Sequence, residues 1–222
     1  MTIKPILFNT EMVRAILDWR KTCTRRILKG AIPFDEKAEY WNVLKKGEWS
    51  GPICVEYFMK QGSPYKPGDI LYVRETWGIS NMDDESKMAY IVYRASEEQE
   101  NEGCREVHLP DEKFEKMYES MAESEPEWRP SIHMPKEAAR IWLKVTDVRL
   151  ERLQEITIDG IRNEGLSSMA VHAGDMEIAL KEWELLWSST IKKSDLDRYG
   201  WDANPWVWVI EFERCEKPEG EN

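Results

Sequence analysis

One short segment near the start of the chain concentrates reactive side chains. It is Trp19-Arg20-Lys21-Thr22-Cys23-Thr24-Arg25-Arg26, with four cations, two hydroxyls and a thiol in eight positions. Cations at this density can bind an anionic or polar ligand, and a hydroxyl close to an amine is a combination that nucleophilic catalysis uses. The segment is therefore the first candidate for a binding or catalytic site.

The charge around this segment admits two interpretations. Positions 14 to 29 contain six basic residues and one acid, in a protein whose formal net charge is -11. Because clustered cations repel one another, such a basic island favours an anionic or polar ligand. The alternative is a solvated face at the end of a helix, where cations complement the helix dipole. The sequence leaves both open.

Bulk composition narrows the class of protein. The chain has 222 residues, 41% of them hydrophobic and 33% charged, which suits a soluble globular protein with a sizeable core. No apolar run approaches the roughly 20 residues needed to span a bilayer, and the N-terminus lacks a secretory signal. We therefore expect a cytoplasmic protein that does not enter a membrane. The eleven tryptophans predict a core, or the rim of a concave site, rich in indoles.

The cysteines and histidines show no metal-site pattern. None of the four cysteines forms a CxxC pair, and the three histidines are scattered. In a cytosolic chain such cysteines are most simply reduced thiols. No glycine-rich phosphate loop is present either. We expect neither a metal nor a cofactor.

One stretch of the chain is strongly acidic. Residues 96–127 hold twelve acids and three bases. With few branched apolar residues, this stretch is interpreted as an insertion, a loop with a short helix near Asp111–Glu123. It could shield the basic island or repel wrong ligands, but we favour a merely solvated excursion.

The remaining sequence mixes strand-like and helix-like stretches. Thr10 is a plausible N-cap for a helix whose apolar residues recur on one face. The predicted strands are 70–77, 88–93, 139–150 and 206–213, and the further predicted helices are 156–164 and 176–187. Strands scattered among a few helices without a regular βαβ rhythm favour an α+β fold with a small barrel. No linker is evident, so one domain over 1–222 is predicted.

Three features together resemble the ASCH domain of the PUA-like superfamily. They are Arg20-Lys21-Thr22-x-Thr24-x-Arg26 after a helix, Pro67-Gly68-Asp69 before a strand, and the closing Asn204-Pro205-Trp206-Val207-Trp208-Val209-Ile210-Glu211-Phe212. The last is similar to the longer ASCH-like proteins encoded by phages and prophages. The acidic insertion and Phe34–Met59 lie outside the resemblance.

The resemblance implies both a fold and an activity. PUA-like domains have a five- or six-stranded β-barrel with helices at its openings and a cleft over the barrel mouth. ASCH domains were first proposed to bind RNA. Small bacterial members are amidohydrolases that remove the acetyl group from N4-acetylcytidine.

Residue by residue, the resemblance implies a catalytic set of Lys21, Thr24 and Glu164. Thr24 would attack the acetyl carbonyl, and Lys21 would accept its proton. Glu164 would orient Lys21 or protonate the leaving amino group. The position of Glu164 is inferred from chain order and its Glu-Gly context. In each case the alternative is an ordinary structural role, as a helix-end hydroxyl, a surface cation and an exposed helix residue.

Four further residues are predicted to bind the substrate. Arg26 would stabilise the oxyanion or hold a phosphate or ribose hydroxyl, and Arg20 belongs to the same cationic set. Glu75 and Trp77 lie at the end of the first predicted strand and could line the barrel mouth, where an indole can stack on a pyrimidine. Alternatively, Trp77 is core and Glu75 pairs with an arginine of the basic island.

Trp19 departs from the family pattern. The family usually has glycine at this position, where a helix ends most easily with a residue of positive φ. Trp19 can still end the helix, or its ring can fill part of the cleft and narrow the substrate range. The sequence does not decide between these two roles.

Two functions from different classes follow. The first is an amidohydrolase of an acylated nucleoside or a related amide. The second is a non-catalytic module that binds single-stranded or modified RNA, although the acidity of the chain argues against tight non-specific binding. Ribonuclease activity is less attractive because no obvious histidine pair is present. The expected partner is thus a nucleoside or RNA, and the oligomeric state is left open.

Overall fold

The computed structural model describes residues 2–96, 104–120 and 128–219. The chain divides into two compact units. Unit 1 comprises Met1–Trp19, Ile70–Lys144 and Arg214–Asn222, and unit 2 comprises Arg20–Asp69 and Val145–Glu213. This division does not test the prediction of one domain over 1–222, which stays a prediction.

Within the described residues the fold is a mixture of strands and helices, as an α+β class requires. The strands are β1 (Ile3–Leu7), β2 (Cys23–Ile27), β3 (Ala31–Pro33), β4 (Tyr40–Lys45), β5 (Glu48–Trp49), β6 (Ile53–Cys54), β7 (Ile70–Arg74), β8 (Trp77–Asp83), β9 (Met88–Tyr93), β10 (Cys104–His108), β11 (Trp142–Arg152) and β12 (Trp206–Cys215). The helices are α1 (Thr10–Leu17), α2 (Val55–Gly62), α3 (Asp111–Glu119), α4 (Ile158–Asn163), α5 (Met169–Ala173), α6 (Met176–Thr190) and α7 (Leu196–Tyr199).

Unit 1 is built on two groups of strands. β1 runs parallel to β7, and the first three residues of β11 run antiparallel to β7, with Trp142 opposite Tyr72. β8, β9 and β10 form an antiparallel meander. Their inner faces share a core that includes Tyr72, Trp77, Tyr93 and Phe114.

The acidic stretch is better ordered than the sequence suggests. It contributes β10, which pairs with β9, and α3, whose Phe114 is fully buried in the core of unit 1. The predicted helix ends at Glu119 rather than Glu123, and no strand was expected here. Residues 97–103 and 121–127 of the predicted insertion lie outside the described residues. Phe114, with Met117 packed against the same core, fixes a short helix whose remaining positions are mostly charged.

The N-cap of helix α1 lies one residue earlier than predicted. Asn9, not Thr10, is the N-cap, and its side chain accepts a hydrogen bond from Met12 N at 2.9 Å. The helix is followed by Trp19, which has φ +60° and whose N–H donates to Ile16 O at 3.1 Å. Trp19 therefore takes the left-handed conformation that glycine would take. Its ring is 70% exposed and lies 4.4 Å from the Arg214 guanidinium carbon.

Unit 2 combines a sheet, several helices and an aromatic cluster. The remaining part of β11 neighbours β12, which pairs antiparallel with β2 so that Thr24 lies opposite Ile210. Helices α4, α5 and α6 cover one apolar core. β3 to β6 and α2 fill the part of the chain that the ASCH resemblance does not cover. Trp41, Phe58 and two indoles of β12 pack together there.

The strand orders are open in the part of the chain that the structure describes, and no closed barrel is recorded there. The small barrel therefore stays a prediction. The predicted strand 70–77 is not continuous. Glu75 and Thr76 interrupt it, so that β7 ends before them and β8 begins after them. Among the described helices none combines the length and apolarity that a membrane crossing demands.

Candidate active site

A buried ion pair joins the two segments that the sequence singled out. Lys21 and Glu164 form an isolated antiparallel bridge, and Lys21 Nζ donates to Glu164 Oε2 at 2.6 Å and to Glu164 O at 3.0 Å. The two residues are 143 positions apart and only 4% and 3% exposed. The solvated-face interpretation of the basic island is therefore wrong for Lys21.

Local chain geometry explains how Glu164 reaches this position. Thr157 is the N-cap of α4, and its hydroxyl accepts a hydrogen bond from Gly160 N at 3.1 Å. Glu164 is the C-cap of the same helix. Gly165 follows with φ +100°, a conformation that favours glycine and turns the chain away from the helix axis. Arg20 donates to the carbonyl of Gly165. The helix end is thereby fixed against the start of β2.

Arg25 extends the ion pair into a network. Its Nη1 donates to Glu164 Oε1 at 3.3 Å and its Nη2 to Glu151 Oε2 at 2.9 Å. Gly160 allows this approach, because a Cβ added there would lie 3.2 Å from Arg25 Nη2. Glu164 and Glu151 together thus neutralise the two buried cations Lys21 and Arg25, as the desolvation cost of each charge requires.

Cys23 lies on the same face of β2 as Arg25. Arg25 Nη1 is 3.8 Å from Cys23 Sγ, and the thiol is almost fully buried. Burial raises the pKa of Cys23 to about 12, with Glu164 acting in the same direction and Lys21 and Arg25 opposing it. The thiol therefore stays protonated at neutral pH and is not a nucleophile.

This protonation state is testable by thiol labelling. Cys54 and Cys104 are exposed and should react with an aromatic disulfide reagent within minutes at pH 8, whereas Cys23 should react only on unfolding. Because its folded pKa lies above the unfolded value, the stability that Cys23 contributes is full below about pH 9 and falls as pH rises toward 12. Fast labelling of native Cys23, mapped by peptide mass, would contradict the assignment.

Thr24 and Arg26 occupy the other face of β2. Successive side chains of a strand alternate, so Thr24 and Arg26 point away from the face that carries Cys23 and Arg25. Thr24 is almost fully buried. The structure therefore records no contact from Thr24 to Lys21 or Glu164.

The pKa of Arg26 depends on groups from several segments of unit 2. Burial lowers the pKa of its guanidinium, while Tyr65 and Glu164 act in the opposite direction. Burial likewise raises the pKa of Tyr65, and Arg26 opposes that shift. Arg26 and Glu164 are thus close enough to interact electrostatically.

Glu75 and Trp77 belong to unit 1, whereas the Lys21–Glu164 pair belongs to unit 2. Glu75 is 1% exposed and accepts two hydrogen bonds of 2.9 Å from Arg140, not from the basic island. Burial raises the pKa of Glu75, and Arg140 partly offsets this. Trp77 is 2% exposed in the core of unit 1, as the second interpretation predicted.

Sequence reasoning missed the roles of Arg25, Glu151 and Arg140. Arg25 had a usable signal, since Lys21, Cys23 and Arg25 follow a spacing of two and so share one face of a strand. No local signal identifies Glu151 or Arg140, whose partners lie 126 and 65 positions away. Residues 2–96, 104–120 and 128–219 contain no group of three or more His, Cys, Asp or Glu side chains able to hold a metal.

Comparison with known proteins gives one result. No family model and no curated protein matches the chain. A search of solved structures returns the crystal structure of an ASCH domain from Lactobacillus crispatus JV V101, at 8% identity over 96% of this chain and 79% of that one, with a TM-score of 0.36. This chain is similar to an ASCH domain. The ASCH similarity is too distant to carry an argument about activity, which rests on the residues themselves.

Proposed function

We propose that the chain is an amidohydrolase of an acylated nucleoside of the N4-acetylcytidine type, with Lys21 and Glu164 as its proton-transferring pair. The observation that carries this is the 2.6 Å contact between Lys21 Nζ and Glu164 Oε2 in a buried setting. Replacing such a pair by apolar residues is often neutral or stabilising, so its presence suits a function. The ASCH resemblance, the small barrel and a phage or prophage setting belong to the same proposal.

The chemistry balances with groups on this chain and water. Thr24 Oγ attacks the acetyl carbon while its proton passes to Lys21 Nζ and a proton of Lys21 passes to the Glu164 carboxylate. Arg26 stabilises the oxyanion, with Arg20 as a second cation for the substrate. As the C–N bond breaks, Glu164 returns its proton to the N4 amino group of cytidine. Water then releases acetate from Thr24.

Thr24 is the weakest member of this set. The alternation along β2 places it opposite Cys23 and Arg25, and no recorded contact links it to the ion pair. Its support as nucleophile is its place in the motif, three residues after Lys21 on a largely buried strand. Variants at Thr24 therefore test a different part of the proposal from variants at Lys21.

Purified protein should convert N4-acetylcytidine to cytidine in a chromatographic assay. Lys21→Met should lose at least about 100-fold in rate, the lower range for general acid–base catalysis. Thr24→Ala should lose a similar factor and Thr24→Ser should retain activity. Lys181→Met, which alters an exposed ion pair on α6, is the control.

The outcomes separate the alternatives. Absence of conversion by folded wild type, or full activity of Lys21→Met, would overturn the hydrolase proposal. If Lys21→Met lost activity while Thr24→Ala kept it, the catalytic role of the Lys21–Glu164 pair would stand. Water, rather than Thr24, would then be the nucleophile. RNA binding is the alternative function, and a steep salt dependence of RNA affinity together with an absence of conversion would support it.

A further inference from the structure

A cavity lies entirely within unit 1. It has a volume of about 450 Å³, in the range of small-molecule sites. Five of the described residues that line it are cations, Arg74, Lys113, Lys116, Arg129 and Lys136, and none of its described lining residues is Asp or Glu. Tyr72, Trp77 and two methionines provide the rest of its main surface. The cavity is therefore positively charged and partly aromatic, in a protein that is acidic overall.

Carboxylates do not neutralise all of these cations. Lys113 and Lys116 form exposed ion pairs with glutamates. Arg74 donates instead to Ile132 O at 3.2 Å, and Arg129 donates to Ser120 O and Oγ, both at 3.2 Å. Among the described residues no carboxylate pairs with either arginine. Both guanidinium groups can therefore accept an anionic ligand.

Two buried donors in the cavity lining lack an acceptor. They are Trp77 Nε1 and Arg74 Nε, neither of which has a hydrogen-bond partner within the described part of the chain. A buried N–H without an acceptor is costly, so native proteins rarely leave one without a bound partner. Arg74 lies 5.6 Å from the Tyr72 ring and Arg129 lies 5.5 Å from the Trp77 ring. Unsatisfied donors, cations and aromatic surface thus meet in one cavity.

We propose that this cavity binds a nucleoside monophosphate. Arg74 and Arg129 would hold the phosphate, because a guanidinium matches phosphate oxygens in geometry and charge. The base would contact Tyr72, Trp77 and the methionine side chains, which suit a flat heteroaromatic ring. A ligand oxygen would accept from Trp77 Nε1. The site is independent of the proposed hydrolase, whose residues lie in unit 2.

Calorimetric titration of the full chain with AMP, adenosine and inorganic phosphate tests the proposal. AMP should bind one site, and adenosine and phosphate should each bind at least about tenfold more weakly, because each forfeits half of the contacts. Trp77→Phe removes the indole N–H together with part of the ring and should weaken AMP at least about tenfold, the value of one hydrogen bond to a charged group. Arg129→Gln should weaken AMP by about tenfold or more and leave adenosine unchanged.

A matched control is available in unit 2. Trp183 is also buried with an unpaired Nε1, but it belongs to the core beneath α6. Trp183→Phe makes the same chemical change and should leave AMP affinity unchanged. Absence of AMP binding at 1 mM, on the order of the weakest specific affinities, would overturn the proposal. So would equal affinity for phosphate alone, or equal effects of the two tryptophan variants.

Discussion

Replacing Glu164 by glutamine should lower the free energy of unfolding by about 3–5 kcal/mol, the usual cost of removing one partner from a buried ion pair. Glu164 accepts from both Lys21 and Arg25, and all three side chains are almost fully buried. A neutral amide at this position would leave two cations in a low-dielectric setting with only Glu151 to oppose them. Urea unfolding, followed by far-ultraviolet circular dichroism, measures the loss.

Two further variants make this result specific. Lys21→Met in the Glu164→Gln background removes one stranded charge and should restore part of the lost stability. Glu177→Gln breaks an exposed pair with Lys181 on α6 and should change stability by less than about 0.5 kcal/mol. Equal effects of the Glu164 and Glu177 variants would show that the Lys21–Glu164 pair is not buried in solution.

A second large effect is expected at Arg140. Its guanidinium donates to both oxygens of Glu75 and to Ser96 Oγ, and its carbon lies 4.1 Å from the Tyr93 ring centre. Arg140→Met keeps much of the apolar stem but leaves the Glu75 carboxylate buried without a cation. We expect a loss of about 3–5 kcal/mol at pH 7 in the same unfolding measurement.

The pH dependence of the Arg140 variant gives a sharper test. Burial raises the pKa of Glu75 above its ordinary value of 4.5, and Arg140 acts against that shift. For a raised pKa, stability is full below the unfolded value and falls as pH rises through the folded value. Without Arg140 the free energy of unfolding falls further as pH rises. The stability lost in Arg140→Met should therefore be smallest near pH 4.5 and grow toward pH 7.

Glu75→Gln in the Arg140→Met background is the matched control. Glutamine has nearly the same shape as glutamate and no charge, so the double variant should lose the pH dependence. A deficit of Arg140→Met that stays constant between pH 4.5 and pH 7 would mean that packing against Tyr93, rather than charge, accounts for the role of Arg140.

The sequence predicts the elements of the candidate site better than its geometry. α4 and α6 follow from apolar periodicity, and the Glu-Gly pair at 164 marks the end of α4. The motif at Lys21 places that residue beside Glu164, but it does not show that β2 is a strand, since the segment is rich in charge rather than in apolar alternation. Whether Thr24 faces Lys21 depends on that assignment.

Other features depend on contacts between distant segments and have no local signature. Glu75 interrupts what looks like one continuous strand, because its carboxylate must meet Arg140. The sequence of the acidic stretch suggests a solvated loop, because charge dominates its composition. The structure instead anchors α3 in the core through Phe114. The cavity of unit 1 combines Trp77, which the sequence singled out, with cations spread over more than sixty positions. Its charge becomes visible only when the chain is folded.

The interleaved order of the two units has a consequence for synthesis on the ribosome. Each unit is assembled from separate stretches of chain, and β12 supplies unit 2 up to Glu213 and unit 1 from Arg214 onward. Because β2 has β12 as its partner, residues 23–27 must wait for a strand made some 180 residues later. Neither unit can finish folding during translation before β12 emerges. A nascent chain stalled before Trp206 would leave the apolar faces of helices α4, α5 and α6 exposed to solvent. We expect chaperones to bind such a chain.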